Sequence, residues 1–469
     1  MKLNKTLNLF LIFFIGIVIG VTGKDIFDYF TMDEYDKQQV FLLDLLKENA
    51  YYFDEELITE EKLKEGALRG MIEALGDPYS VYLDEEDFAS FMAQVTGEFA
   101  GAGISIAKVE RYAIIGDVIQ GSPAKKAGVQ EGDVILAIDQ KSMVDKTVND
   151  IAGAIKGKVG EKRTLSVYRA GETIDLLITL DEISSPSVEY QFITEGDELI
   201  GYVQITSFSS NTFDEFKAAI DELNAQGMTD LILDVRNNPG GYLDVVLNMM
   251  DYLLDTNDPL MYVKDRTGKL EAYTQNKYKT FFKFKVIVLT NEYSASASEI
   301  FAATLNEIGN HEIVGKTTFG KGTVQTTVYL NSQQTIAVKL TIQNWLTPKK
   351  NSIQGVGVSP TIEVNWPLVE TMSYLNYDML LEEGKVNLEA IPLQLYLNAK
   401  VSPVRTDGYI DRATIDALIT YQEKLNEVET YGQMDFNTLY HLNRDILSLA
   451  EDLNYDPQYQ KALELALNN

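Results

Sequence analysis

Between residues 183 and 366 the chain alternates two textures. Short apolar runs (IGYVQI, DLILDV, KVIVLT, EIVG) take turns with patterns of helical period (TFDEFKAAIDELNAQG, YLDVVLNMMDYLL). Runs of that length bounded by turn residues read as buried strands, and their regular exchange with amphipathic helices predicts an α/β core. A β-rich tail, TVQTTVYL and QTIAVKLTI, closes this section. The first consequence is positional. Each strand-to-helix junction brings a short loop to one place, and two of these loops carry unusual residues.

The flanking regions have other textures. Residues 94–182 are short β-rich runs punctuated by glycine (GEFAGAGISI, YAIIGDVI, GDVILAID, TLSVYR, TIDLLITL) with one helical pattern, TVNDIAGAIKG. That predicts a small, mostly-β domain. Residues 25–93 set acidic and apolar positions at helical spacing, interrupted by the Gly-Asp-Pro turn of GDPYSVYLD. Residues 367–469 are helical. GYIDRATIDAL and GQMDFNTLYHL repeat there with Asp411 and Asp435 as N-cap candidates. The whole is expected to be a multidomain α+β protein, consistent with its 469 residues.

The N-terminus sets Lys2 and Lys5 before a mostly apolar run, Leu7 to Val21. At ~1.5 Å per residue the run spans roughly 22 Å, short of a ~30 Å hydrocarbon core. Residues 1–24 therefore read as a signal peptide or signal anchor, and the bulk of the chain as exported across a bacterial cytoplasmic membrane. With no cysteine, neither lipidation at this end nor a disulfide framework is available. A net charge of −30 repels phosphate backbones, so nucleic acid is not an expected partner.

Three stretches carry candidate chemistry. In YSASASEIFAA, Ser294, Ser296 and Ser298 stand at the junction of a buried strand with a helix. A nucleophile there is exposed, and the free N–H groups of the helix favour developing negative charge. Ser296 sits at the helix entrance, Ser294 still in the turn, and Ser298 beside Glu299 in the first helical turn. Position favours Ser296. Small residues that only let a helix pack closely are the plainer alternative.

The second stretch, GKTTFGKGTVQ, has the spacing of a phosphate loop, but Gly322 follows the lysine where Ser or Thr should hold Mg²⁺. Strand material then follows instead of a helix, so no nucleotide is expected. Lys321 is instead a candidate base, since imidazole is scarce: the chain holds only two histidines. A solvated lysine, with a pKa of ~10.4, is a poor base near neutrality, and burial lowers it at about 1.4 kcal/mol per unit. On a strand, Gln325 would share a face with Lys321 and orient its amine. The third stretch, LILDVRNNPGG, ends a strand on Gly240 and Gly241. Their backbone N–H groups, with that of Ala297, suit an oxyanion hole.

Taken in order, DVRNNPGG, YSASASEI and TFGKGTVQ resemble the hallmarks of the C-terminal processing peptidases, the tail-specific proteases of peptidase family S41. LRGMIEALGDPYSVYLD, GEFAGAGISI and NWLTPKKNSIQGVGVSPTIEV are similar too, so the resemblance covers roughly residues 38–365. It implies a crotonase- or ClpP-like protease core with a serine–lysine dyad, its nucleophile on Ser296, its base on Lys321 and an assisting glutamine on Gln325. One departure is Thr361, where the family usually carries an aspartate.

GAGI and the later GSPAKKAGVQEGDVILAID resemble a PDZ domain, which implies that Ala102, Gly103 and Ile104 bind the terminal carboxylate of a peptide. Residues 408–422 resemble peptidoglycan-binding-like helical modules, so either cell-wall contact or dimerisation is implied for the C-terminal region. The expected protein is thus an exported serine endopeptidase acting on proteins with free, apolar C-terminal tails. It would be a homodimer and need neither metal nor cofactor. The alternative is an inactive PDZ and wall-binding scaffold.

Overall fold

The computed structural model describes residues 33–468 apart from 54–57, 97, 185, 197, 276, 279–281, 283, 367–373, 378 and 426–430. The segment read as an export signal lies outside the described residues. Among the described residues no helix is long and apolar enough to cross a membrane. The chain divides into two units, Met1–Glu85 with Thr326–Thr341, and Glu86–Gln325 with Ile342–Asn469.

In the first unit, helices α1 (Glu34–Asn49) and α2 (Glu60–Glu73) start at Asp33 and Thr59, whose side chains accept from Asp36 N and Lys62 N. Neither helix buries a residue fully, and Phe41, Leu42, Leu45 and Met71 are exposed. The Gly-Asp-Pro turn forms as expected: Asp77 accepts from Tyr79 N and Ser80 Oγ. The turn delivers a short strand that helical periodicity did not reveal, β1 (Val81–Leu83), paired antiparallel with Lys339–Ala337.

The second unit opens with α3 (Glu85–Thr96) and β2 (Glu98–Gly101). Then comes an antiparallel sheet of β3 (Ile104–Val109), β4 (Tyr112–Val118), β5 (Val134–Ile138), β6 (Lys141–Ser142), β7 (Lys162–Arg169) and β8 (Glu172–Thr179). Its main order is β3-β4-β5-β7-β8. Helices α4 (Pro123–Lys126) and α5 (Val148–Ile155) join its strands, the latter closed by a Thr147–Asp150 capping box. β9 (Asp181–Ser184) returns antiparallel to β2, so entry and exit of this domain lie side by side.

The larger sheet runs β10 (Val188–Glu195), β11 (Glu198–Ile205), β12 (Asp230–Asp234), β15 (Lys285–Thr290), β16 (Glu312–Gly315) and β19 (Ile362–Glu363). β10 is antiparallel to β11; every other neighbouring pair is parallel. The remaining strands are β13 (Met261–Asp265), β14 (Leu270–Tyr273), β17 (Thr323–Tyr329) and β18 (Ala337–Leu346). They belong to a smaller sheet, where β13 pairs with Gln343–Leu346.

Helices α6 (Thr212–Ala225), α7 (Leu243–Leu253) and α8 (Ala297–Glu307) pack on one face of the larger sheet around Leu231, Leu233, Val286 and Val288. Asp234 aligns with Leu289, so the loops after β12 and β15 leave the sheet side by side. Thr361, the departure noted above, accepts from Ile313 N and donates to Glu312, joining the edge of this sheet.

Helices α9 (Ile391–Lys400), α10 (Arg412–Gln422) and α11 (Phe436–Glu451) form a repeated module. Asp411 and Asp435 cap as the repeat predicts. The structure adds a glutamine to each half. Gln394 accepts from Gly408 N and donates to Tyr409 O and Thr414 Oγ1; Gln422 accepts from Gly432 N and donates to Gln433 O and Thr438 Oγ1. The last helix, α12 (Pro457–Leu467), leaves this module. It lays Tyr459, Ala462, Leu463 and Ala466 on the other face of the larger sheet, against Tyr202, Ile232 and Ile287.

Gln422 is fully buried, so Gln422→Ala would strand all three of its partners. The substitution is expected to destabilise the module by about 2–4 kcal/mol. Thermal unfolding of the full chain followed by near-UV circular dichroism checks this.

Candidate active site

The site grows from the two side-by-side loops. After β12, Asn238 is fully buried and binds in three directions. Its Nδ2 donates to Ile205 O, its Oδ1 accepts from Gly240 N, and its carbonyl accepts from Ala295 N and Ser298 Oγ. Gly240 and Gly241 have φ of 102° and 154°. A Cβ on Gly240 would lie 2.9 Å from Ser296 Cβ, and one on Gly241 would lie 2.2 Å from Phe208 O. Only glycine permits this approach.

The three serines separate cleanly. Ser294 is buried and donates to Val235 O at 2.8 Å; Ser298 is buried and donates to Asn238 O at 2.8 Å. Both hydroxyls hold the two loops together. Ser296 is half-buried at the N-cap of α8 with φ 56° and ψ −111°, a conformation rare for a residue with a side chain. Such strain persists only where the surroundings hold it.

Backbone N–H groups beside it are oriented by planar trans peptides, in which C=O and N–H point opposite ways. Gly240 O accepts from Phe208 N, which turns the Gly241 N–H the other way. Ser296 O accepts from Glu299 N and Ile300 N, which likewise turns the Ala297 N–H. Among the described residues neither of these N–H groups donates within the protein. The Gly240 N–H, by contrast, is engaged by Asn238.

Glu299 is the residue that sequence reading passed over. Fully buried in the first turn of α8, it accepts from Ser296 N (2.8 Å), Thr318 Oγ1 (2.6 Å), Gly320 N (2.7 Å) and Lys321 N (2.8 Å). One carboxyl group thus joins the Ser296 turn to the Lys321 segment. The serine followed three residues later by a glutamate was the available signal, since that spacing makes a capping box.

The lysine segment is irregular rather than strand, because β17 begins only at Thr323. Lys321 is half-buried; its carbonyl accepts from Trp345 Nε1 at 2.9 Å. Its flanking glycines admit the chain at 354–357: a Cβ on Gly322 would meet Gln354 N at 2.9 Å, and one on Gly320 would meet Val356 N at 3.0 Å. Gln325 lies on β17 and its Nε2 donates to Thr323 Oγ1. The shared-face argument therefore applies to Thr323 and Gln325, and Lys321 is placed instead by Glu299 and Trp345.

In the smaller domain, Ala102 O accepts from Ala124 N and Gly103 O accepts from Ile119 N. The Gly103 and Ile104 N–H groups are turned away from that anchor. Gly103 has φ 79°, and a Cβ there would strike Ser122 at 2.4 Å. A groove of about 650 Å³ adjoins this loop between β3 and α5, with α3 as a further wall; Ile104, Ile106, Ala152, Ile155 and Met92 line it. No group of acidic, histidine or cysteine side chains among the described residues could hold a metal ion.

A serine at a strained strand-to-helix turn, flanked by two unclaimed N–H groups, is the arrangement of a serine hydrolase. Comparison with known proteins narrows the class. Residues 199–364 match the model of peptidase family S41, residues 114–169 a PDZ domain, and residues 36–87 the activating protease CtpB N-terminal domain. The carboxy-terminal processing protease CtpA of Bacillus subtilis is 35% identical over 86% of this chain and 85% of its own. CtpB of the same organism is 34% identical over 87% and 85%. Among solved structures, a photosystem II D1 C-terminal processing protease is 25% identical over 71% of this chain and 94% of its own, with a TM-score of 0.44. The chain belongs to the carboxy-terminal processing proteases of peptidase family S41 and is a serine-type endopeptidase with a PDZ domain.

Glu299→Gln sets an amide N–H against one pair of donors and keeps the shape. Turnover is expected to fall about 100-fold, the effect of a small misplacement of reacting groups. Casein cleavage measured beside a thermal melt separates this from unfolding.

Proposed function

We propose that the protein hydrolyses peptide bonds with a Ser296–Lys321 dyad assisted by Gln325. The observation that carries the reading is the division among the serines: Ser294 and Ser298 spend their hydroxyls on backbone carbonyls, whereas Ser296 stands at the strained helix entrance. Ser296 Oγ attacks the scissile carbonyl and its proton passes to Lys321 Nζ. The carbonyl oxygen becomes an oxyanion stabilised by the Gly241 and Ala297 N–H groups, with Gly240 giving it room. As the acyl-enzyme forms, the ammonium of Lys321 returns the proton to the leaving amine. Water then attacks the ester, Lys321 again accepting the proton, and Ser296 is released.

The PDZ groove supplies selection. Ala102, Gly103 and Ile104 form the loop that receives a free terminal carboxylate, and the apolar groove receives the last side chains as an added strand. Substrates are exported proteins with apolar C-terminal tails. The protease core is crotonase- or ClpP-like with the PDZ domain inserted ahead of it, and the bulk of the chain is extracytoplasmic, secreted or held by its N-terminal segment. The exposed apolar residues of α1 and α2 favour a homodimer, since monomers seldom leave such residues clustered in water. The repeated C-terminal module is the part suited to wall contact.

Ser296→Ala and Lys321→Arg are each expected to lower casein cleavage by about 10³-fold or more, since guanidinium stays protonated and accepts no proton. Ser296→Ala at the wild-type rate would mean the protein is a scaffold or uses another nucleophile.

A second expectation concerns the tail. An unstructured substrate ending in apolar residues should be cleaved faster than the same chain amidated at its C-terminus. Equal rates for the two would remove the carboxylate loop from substrate selection.

A further inference from the structure

A buried ion cluster that the proposed reaction leaves unused lies behind the oxyanion loop, at Arg236. This side chain sits two residues before Asn238 and is 10% exposed. Its backbone N–H and Nε donate to Asp234 Oδ1 at 3.0 and 2.9 Å, and Nη2 donates to Asp234 Oδ2 at 2.5 Å. Nη1 reaches in the other direction, to Asp456 Oδ2 at 2.6 Å and Gln458 Oε1 at 3.0 Å. Trp366 stacks its ring 5.5 Å from the guanidinium.

Asp456 and Gln458 open α12. Asp456 Oδ1 accepts from Gln458 N and Tyr459 N as the N-cap, and Gln458 Nε2 donates to Val364 O. Every polar end of this short segment is thus tied either to its own helix or to the core.

We propose that the start of α12 is a positioning element of the peptidase site: Asp456 and Gln458 hold Arg236, and through it set the register of the oxyanion loop against Ser296. Three observations support this. First, α12 needs no charge in order to dock, because Tyr459, Ala462, Leu463 and Ala466 already bury an apolar face on the sheet. Burying ions there costs desolvation that an apolar contact would avoid, so the ions contribute direction rather than adhesion.

Second, the cluster borders an open cavity of about 750 Å³, and on that side hydrogen bonds to Asp234, Asp456 and Gln458 supply the direction of the guanidinium. Third, the chain between Arg236 and Gly241 has little freedom to absorb a shift. Asn237 has φ 59° and exchanges two hydrogen bonds with Asn291, at 2.9 and 2.8 Å, in the loop that leads to Ser296. Asn238 follows with both ends of its amide fixed. A displaced Arg236 therefore moves the Gly241 N–H relative to Ser296.

Arg236, Asp456 and Gln458 are positioning residues in this scheme, and the scheme rests on the nucleophile and oxyanion assignments above. The test compares the full-length protein with Asp456→Asn and with Asp456→Asn/Gln458→Met. The single substitution keeps an oxygen for the helix cap and removes the charge. Active sites are counted by titrating Ser296 to completion with a fluorophosphonate, and casein cleavage is expressed per titrated site. Binding of an apolar tail peptide to the PDZ groove is read by fluorescence anisotropy.

The expected result is a fall in kcat per site of about 10- to 100-fold in the double variant, a smaller fall in the single one, and KM and peptide affinity within about twofold of wild type. An unchanged kcat per titrated site in both variants overturns the proposal, even if fewer sites titrate, because that is what a merely structural helix would give. Wild-type protein that cleaves casein with Ser296 unlabelled overturns the nucleophile assignment, and the proposal with it.

Discussion

The arrangement around Ser296 depends on a single buried carboxyl group, that of Glu299. Glu299 is fully buried and gathers three backbone N–H groups and one hydroxyl from two separate segments. A buried polar group is tolerable only when its hydrogen-bonding capacity is used, and here both carboxyl oxygens are engaged. The consequence is geometric. The entrance of α8, with its strained serine, and the Gly320–Gly322 segment share one set of acceptor atoms, so neither can drift without the other. Thr318 extends the link by accepting from Val358 N, which brings in the stretch that also packs against the two glycines.

The βα alternation was legible because a buried parallel strand has to be apolar along its whole length, as KVIVLT and DLILDV are. The place of Ser296 at the helix entrance was legible for a related reason: an apolar strand running into a helical period marks where the turn ends. The supports were not. Glu299 finds its partners at positions 318–321, and Asn238 finds Ser298 and Ala295, separations for which no local period exists. The strand alternation invoked for Lys321 and Gln325 fails for a local reason, since two glycines and the Trp345 indole delay the start of β17 to Thr323. Likewise the repeat betrayed its aspartate caps, which lie inside the repeated sequence, but not Gln394 and Gln422, which stand before it.

The PDZ strands held a signal that reads clearly only beside the structure. A small β domain with one wet face alternates apolar and polar residues, yet YAIIGDVI and GDVILAID run apolar at consecutive positions. The structure supplies the reason. Ala113 and Ile115 on β4, Ile135 on β5 and Val167 on β7 point into the domain's own core. Their neighbours Tyr112, Ile114, Val134 and Tyr168 point the other way, into a second core with Leu375, Leu393, Leu418 and Tyr440 of the C-terminal module. Phe436 seals this contact, its ring 4.5 Å from Tyr168 and 5.3 Å from Tyr112.

Two kinds of contact therefore divide the work in the larger unit. Broad apolar faces decide which element lies on which: the helical module on the PDZ sheet, α12 on the peptidase sheet. Such faces are non-directional and tolerate small slips. Catalysis does not, because donors must meet a developing charge within a few tenths of an ångström. At the points where slips would matter, the chain places buried polar groups with fixed directions: Asn238 between the two loops, Glu299 between the Ser296 and Lys321 segments, and Arg236 between the loop after β12 and the start of α12. The directional groups tie the Gly240, Ser296 and Lys321 segments to one another, and the apolar faces join whole elements. That ordering is what lets domains built from approximate packing carry a site that requires exact alignment.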